Sequence, residues 1–377
     1  MKKLKSLRIL FLMLFVLGCG GSDESTTDDM VDDGAVDDMV DDTVMEEFDV
    51  PSLLADATNS LILPTLSDFN AQAGIFSSLA TTYLDETSET NLEALRTQWI
   101  TMTLAYEKTY VFHIGLARDR FLHPAIYNWP TVAEAIEDFI SDGEITEASV
   151  AAISPQIKAL AGIEYLLFKS TVTETNNEFS LDENRREYLR LSVEFLIAQA
   201  DRLLSIWQPD GDNYATTFIN NEDTGIRASF NLFFNGLNNA VDTGKVTKIG
   251  KPGGLETSEI PNPDIVQAPF SNISLELLTV SMEMVEEAFF GEGITNISDY
   301  IFFVLQEDSL NDDLQTKIDE VQEAIAAITV PLEEAVTADP TAVENLHTKM
   351  TELGILFTVD VRSVLSIIIT ATDNDGD

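Results

Sequence analysis

The stretch LQTKIDEVQEAIAAITVPL, residues 314–332, decides the fold. Its apolar members Leu314, Ile318, Val321, Ile325, Ile328 and Leu332 recur at alternating intervals of four and three, which a 3.6-residue period stacks on one helix face. Acids, amides and one lysine fill most of the opposite face. Alternating fours and threes is the seam of helices packed nearly antiparallel, as in a bundle. Working outward, Leu346, Met350, Leu353 and Phe357 repeat the pattern after a break at Asp339-Pro340. In the first half Leu92, Leu95, Trp99, Met102 and Tyr106 mark one such helix, and Leu189, Val193, Leu196, Ala200, Leu203 and Trp207 another. No segment sustains a period of two, so the reading is all-α. Residues 208–221 and 250–254, rich in Gly, Pro, Asn and Asp, read as loops. They divide 51–377 into two helical halves, about 51–207 and 225–377.

The chain has 377 residues, with 65 Asp and Glu against 21 Lys and Arg, a formal charge of -44. So negative a chain repels phosphate backbones, which excludes nucleic acid and makes cations the natural partners. A single cysteine forms no internal disulfide and no thiolate zinc site. Histidine is scarce too, with three in all.

The N-terminus reads as an address. Lys2, Lys3, Lys5 and Arg8 precede the apolar run Ile9 to Leu17, too short to span a bilayer, and Val16-Leu17-Gly18-Cys19 follows. This is similar to a bacterial lipoprotein signal, so residues 1–18 are expected to be removed and Cys19 lipidated, anchoring the protein to the membrane through acyl chains. Gly20, where Asp often marks inner-membrane retention, favours the outer membrane, with the protein on its periplasmic or outer surface. Residues 21–50 hold 13 acids and no base, so residues 19–50 read as a disordered, charge-extended spacer. The domain that follows is acidic as well.

Several segments, in order, resemble the imelysin family of bacterial envelope proteins, also known as M75-type peptidases. They are Asn59-Ser60-Leu61-Ile62-Leu63-Pro64-Thr65 with Asp68-Phe69; Asn91 to Arg96 with Trp99 and Tyr106-Glu107; and Ile126-Tyr127-Asn128-Trp129-Pro130. Ile163 to Phe168, Arg185-Arg186 with Tyr188-Leu189, Lys248 to Gly254 and Pro269 to Ser274 continue the series. The resemblance implies an all-helical fold of two bundle-like halves with a site between or within them. It also implies a link to iron uptake, or metallopeptidase activity.

The family's Gly-x-His-x-x-Glu motif sets His and Glu three residues apart on one helix face, where both can ligate one metal ion. Aligned on Glu164, this chain has Ala159 at the Gly position and Ala161 at the His position. Tyr110 also stands where the family usually places an acid after Tyr-Glu. Two expected ligands are therefore missing. Glu164 still shares a helix face with Ile157, Leu160 and Leu167, where an ionised carboxylate is costly unless paired. It reads either as a remaining ligand for a divalent or ferric cation or as a structural acid held by an Arg or Tyr. His113, on the helix of Tyr106 and Tyr110, and Glu107 are the further metal candidates.

His123 is expected in the loop before Trp129-Pro130, and His347 facing solvent. Ser271 and Ser274 are expected as helix N-caps rather than nucleophiles. The ending Asp373-Asn374-Asp375-Gly376-Asp377 has half a calcium loop without its bidentate Glu. Three functions follow: a non-catalytic cation-binding lipoprotein, a metallopeptidase, or an interaction scaffold with a vestigial site. Loss of the motif's His favours the first over the second, since zinc hydrolases need about three protein ligands.

Overall fold

The computed structural model describes residues 47–142, 144–220, 223–256, 258 and 260–370. The signal segment, nearly all of the acidic spacer and the Asp-rich ending lie outside the described residues. From Glu47 onward the described residues cluster as one compact unit. Among the helices of the described residues, eight carry the argument: α1 (Leu63–Asp85), α2 (Glu89–Tyr110), α3 (Ala159–Phe168), α4 (Glu183–Trp207), α5 (Ser229–Thr243), α6 (Ser274–Phe290), α7 (Ser309–Ala327) and α8 (Pro340–Ile355). No strand occurs among the described residues. No described helix is long and apolar enough to cross a membrane.

Local chemistry sets the helix ends. Asp49 caps the lead-in helix Val50–Asp56 by accepting from the Ser52 N–H at 3.1 Å, and Asp182 caps α4 through Arg185 N–H at 3.1 Å. Two wider π turns, Ala57–Ile62 and Gly244–Gly250, each run into a helix with proline near its start, Pro64 and Pro252. Proline has no N–H for the preceding turn and crowds the carbonyl four residues back, and a π turn absorbs that mismatch.

In the first half α1 packs between α2 and α4, burying Leu66, Phe69, Ala73, Phe76, Ala80 and Tyr83, while α3 lies against α4 and α2. In the second half α7 packs on α8 and α6, and α5 on α8 and α6. The contact of α2 with α6 joins the two bundles. Trp99, Tyr106 and Trp207 are fully buried, so the aromatics that the spacing placed inward are core. At about 25 cal/mol per Å2 of apolar surface, each such ring contributes several kcal/mol as an upper estimate.

Three readings change. The seam over 314–332 is not one helix: α7 stops at Ala327 and Ile328 is extended, because Pro331 cannot continue the ladder, and a short helix Leu332–Ala338 follows. Ile328 and Leu332 are nevertheless buried, so the periodicity tracked burial beyond the helix. Residues 208–221 contain the helix Tyr214–Asn220, whose Phe218 packs on Trp207. Residues 250–253 are helical, and the chain turns only at Gly254, whose φ of 69° favours glycine.

Candidate functional site

Glu164 is fully buried on α3. Its Oε1 accepts three hydrogen bonds, from the N–H groups of Phe270 (3.0 Å) and Ser271 (2.9 Å) and from the Ser271 hydroxyl (2.9 Å). Left-handed backbone at Ala268 (φ 54°) and Asn272 (φ 60°) curls the loop so that successive amides converge on one anion. The acid is therefore held by backbone and serine rather than by the expected Arg or Tyr. Ser271 serves Glu164 and Ser274 donates to the Gln267 carbonyl, so neither serine caps α6, whose capping residue is Ile273.

The same loop reaches a second acid. With its side-chain amide assigned so that the nitrogen faces these two acceptors, Asn272 donates to Glu333 Oε1 and, at 3.1 Å, to the Pro269 carbonyl. Glu164 Oε2 and Glu333 Oε2 are both shielded from solvent without a hydrogen-bond partner among the described residues. Burial pushes Glu164 up to about 7 against its three hydrogen bonds, and the nearby Glu333 carboxylate raises it further. Burial, with Glu334 and Glu276, also raises Glu333. Two carboxylates are thus held by one loop, each with an unsatisfied oxygen, an arrangement that favours a proton or a cation.

The other metal candidates are placed differently. Glu107 on α2 is buried, but its Oε1 is paired with the ammonium of Lys248, and Gln267 donates to its Oε2 at 3.2 Å. Tyr110 turns its hydroxyl to Thr243 Oγ1 at 2.8 Å and accepts from Asn239 at 3.1 Å. His113 lies in the turn just past α2, with both ring nitrogens shielded from solvent and without a partner among the described residues. Burial pushes it down to about 3, so it is a neutral imidazole. His123, in the short helix Leu122–Ile126 rather than a loop, meets the Tyr106 hydroxyl through Nδ1. His347 is not free in solvent but pairs with Glu256 at 2.7 Å.

Among the described residues no three His, Cys, Asp or Glu side chains converge to hold a metal. Zinc-hydrolase chemistry needs about three such ligands, and here Ala161 supplies none while Glu107 already neutralises Lys248. The donors around Glu107 and His113 do not fit a zinc centre. Glu164 and Glu333 offer only oxygen, the donor of hard cations.

Around His113 open two clefts. The larger, of about 600 Å3, includes Tyr214, Asn235, Asn239 and Arg227 in its walls. The smaller, of about 390 Å3, is walled by Tyr110, His123, Tyr127 and Trp129 with Phe121 among its lining residues. Tyr110, His113 and Arg118 belong to both. Trp129 and Pro130, joined by a cis peptide, place the indole in that wall, where it lies 5.5 Å from the Tyr127 ring.

The imelysin family model matches residues 62–354. The chain belongs to the imelysin family. Two solved structures share its fold. An imelysin-like protein from Psychrobacter arcticum 273-4 has a TM-score of 0.69 at 18% identity, over 86% of this chain and 99% of its own. A protein from Parabacteroides distasonis ATCC 8503, provisionally named an iron-regulated protein A precursor, has a TM-score of 0.71 at 18% identity, over 84% and 95%. No curated protein matches the sequence. On the motif resemblance given above, Glu164 stands at the Glu position and Ala161 at the His position, and sequence reasoning missed Glu333. An acid in the first turn of a short helix gave no signal of its own.

Proposed function

We propose that this imelysin is a non-catalytic binding protein of the cell envelope, tethered through Cys19, that captures iron or another hard cation at Glu164 and Glu333. The observation that carries the reading is that residues 270–272 hold both carboxylates through Oε1 and leave each Oε2 shielded from solvent without a partner among the described residues. A cation between two such oxygens replaces their repulsion with attraction, the larger for the low local dielectric. Oxygen-only donors suit hard cations such as calcium, manganese or ferric iron. The name carried by the Parabacteroides distasonis neighbour agrees with an iron-linked role. The acidic surface adds a field that gathers cations without binding one tightly.

The test is calorimetric titration of the protein with ferrous, ferric, zinc and calcium ions, for wild type and Glu164→Gln. One-to-one binding of a hard cation that the variant abolishes supports the proposal. Weak multi-site binding that ignores the substitution contradicts it. Zinc-dependent cleavage of a peptide would contradict the non-catalytic part.

A further inference from the structure

The loop that holds Glu164 is itself held at its other end. Gln267 is buried, and its side-chain N–H donates to Glu107 Oε2 at 3.2 Å. Its backbone carbonyl accepts from the Ser274 hydroxyl, so the two ends of the loop are tied together at this residue. Glu107 Oε1 is paired with the Lys248 ammonium, and acid and base are both buried. A chain of contacts therefore runs from Lys248 through Glu107 to Gln267, and along the backbone to the amides of Phe270 and Ser271 on Glu164 Oε1.

The buried pair decides which way Gln267 points. Only its amide nitrogen can face a carboxylate oxygen, since two oxygens would repel. The backbone between this anchor and Glu164 is fixed too: Ala268 is fully buried and left-handed at φ 54°, and its carbonyl accepts from the Asn272 N–H at 3.2 Å. Hydrogen bonds weaken steeply away from their favoured distance and angle, so a small shift at Gln267 reaches Glu164 as weaker holding.

We infer, on the reading of Glu164 and Glu333 as the cation site, that Gln267, oriented by the Glu107–Lys248 pair, is a positioning residue for that site. It sets where the amides of residues 270 and 271 lie, so a buried ion pair that touches no cation governs how well Glu164 carries a charge and holds an ion.

The test is Gln267→Met, which keeps the length of the side chain, changes no charge and removes the donor to Glu107. The titratable groups that act on Glu164 or feel it, Glu333 on the short helix Leu332–Ala338 and Tyr127 just after the helix Leu122–Ile126, are left in place. Urea denaturation of this variant, with and without Glu164→Gln, across about pH 4 to 9.5 in a chelating buffer reads the titration of Glu164 with no cation present. Slackened amides favour the charged acid less, so the titration in the folded state, at about 7 in wild type, should move up by about one pH unit. Ser274→Ala, which frees the Gln267 carbonyl, should move it the same way by less. Gly115→Ala, whose new Cβ meets Tyr214 instead of the loop, should lower stability without moving the titration.

Calorimetry at pH 7, with whichever of ferric, ferrous and calcium ions wild type binds most tightly, should show affinity in Gln267→Met reduced about tenfold at unchanged stoichiometry. An unmoved titration and affinity in Gln267→Met, or an equal shift in Gly115→Ala, would overturn the positioning role. Binding by wild type that Glu164→Gln abolishes would in that case still leave the cation site standing. A moved titration in a protein that binds none of the ions would keep the anchor and sink the cation site instead.

Discussion

Replacing Glu164 by Gln keeps a carbonyl oxygen for the amides of Phe270 and Ser271 and removes only the charge, so it isolates the cost of ionising a buried acid. Burial raises this acid from an ordinary value of 4.5 to about 7. Below pH 4.5 folded and unfolded chains both carry the proton, and the group contributes nothing to pH dependence. Between 4.5 and about 7 the unfolded chain ionises while the folded one stays protonated, so rising pH favours unfolding. Above about 7 the penalty is complete. At about 1.4 kcal/mol per pH unit, the interval amounts to about 3 kcal/mol. Urea denaturation of both proteins at pH 4 to 8.5, in a chelating buffer, should show the gap between wild type and variant moving by about that amount in favour of the variant. Nearly all of the movement should fall between pH 4.5 and 7.5. A gap that stays constant across the range would refute the reasoning, because Glu164 would then ionise as readily folded as unfolded.

Other expectations follow from the same geometry. Lys248→Met leaves Glu107 as an uncompensated buried charge and should cost about 3–5 kcal/mol by urea denaturation, whereas Glu107→Gln combined with Lys248→Met should recover much of it. Arg96→Met removes the donors that satisfy the Leu167 carbonyl at 2.6 Å and the Ser170 carbonyl at 2.9 Å beyond α3, and should lower stability by about 2 kcal/mol. Gly115→Ala places a Cβ 1.8 Å from the Tyr214 hydroxyl on a backbone at φ 51°, and should cost about 1–3 kcal/mol in the same assay.

How much of this was legible in the sequence depends on the range of the interaction. Helices α2, α4, α7 and α8 follow from local apolar spacing, and Leu346, Met350 and Leu353 are buried as that spacing requires. The end of α7 was misplaced because Ile328 and Leu332 keep the rhythm while Pro331 breaks the ladder. Of the site, Glu164 was visible as an acid on an apolar face. Its partners lie more than 100 residues away, and the left-handed turn that aims them is made by Ala268, a residue type that does not advertise it. The Glu107 pair was equally hidden, since Lys248 sits 141 residues along in a motif that reads as a linker.

The cation account has one direct test, the coupling of binding to protons. Near pH 6 Glu164 is mostly protonated, so a cation must displace that proton. Titrations of the most tightly bound hard cation at pH 6, repeated in buffers of different ionisation enthalpy, should report release of about one proton per ion. At pH 8.5 the release should fall, and in Glu164→Gln both tight binding and proton release should be lost. Tight binding with no proton release at pH 6, or binding that survives Glu164→Gln, would contradict the assignment of the site.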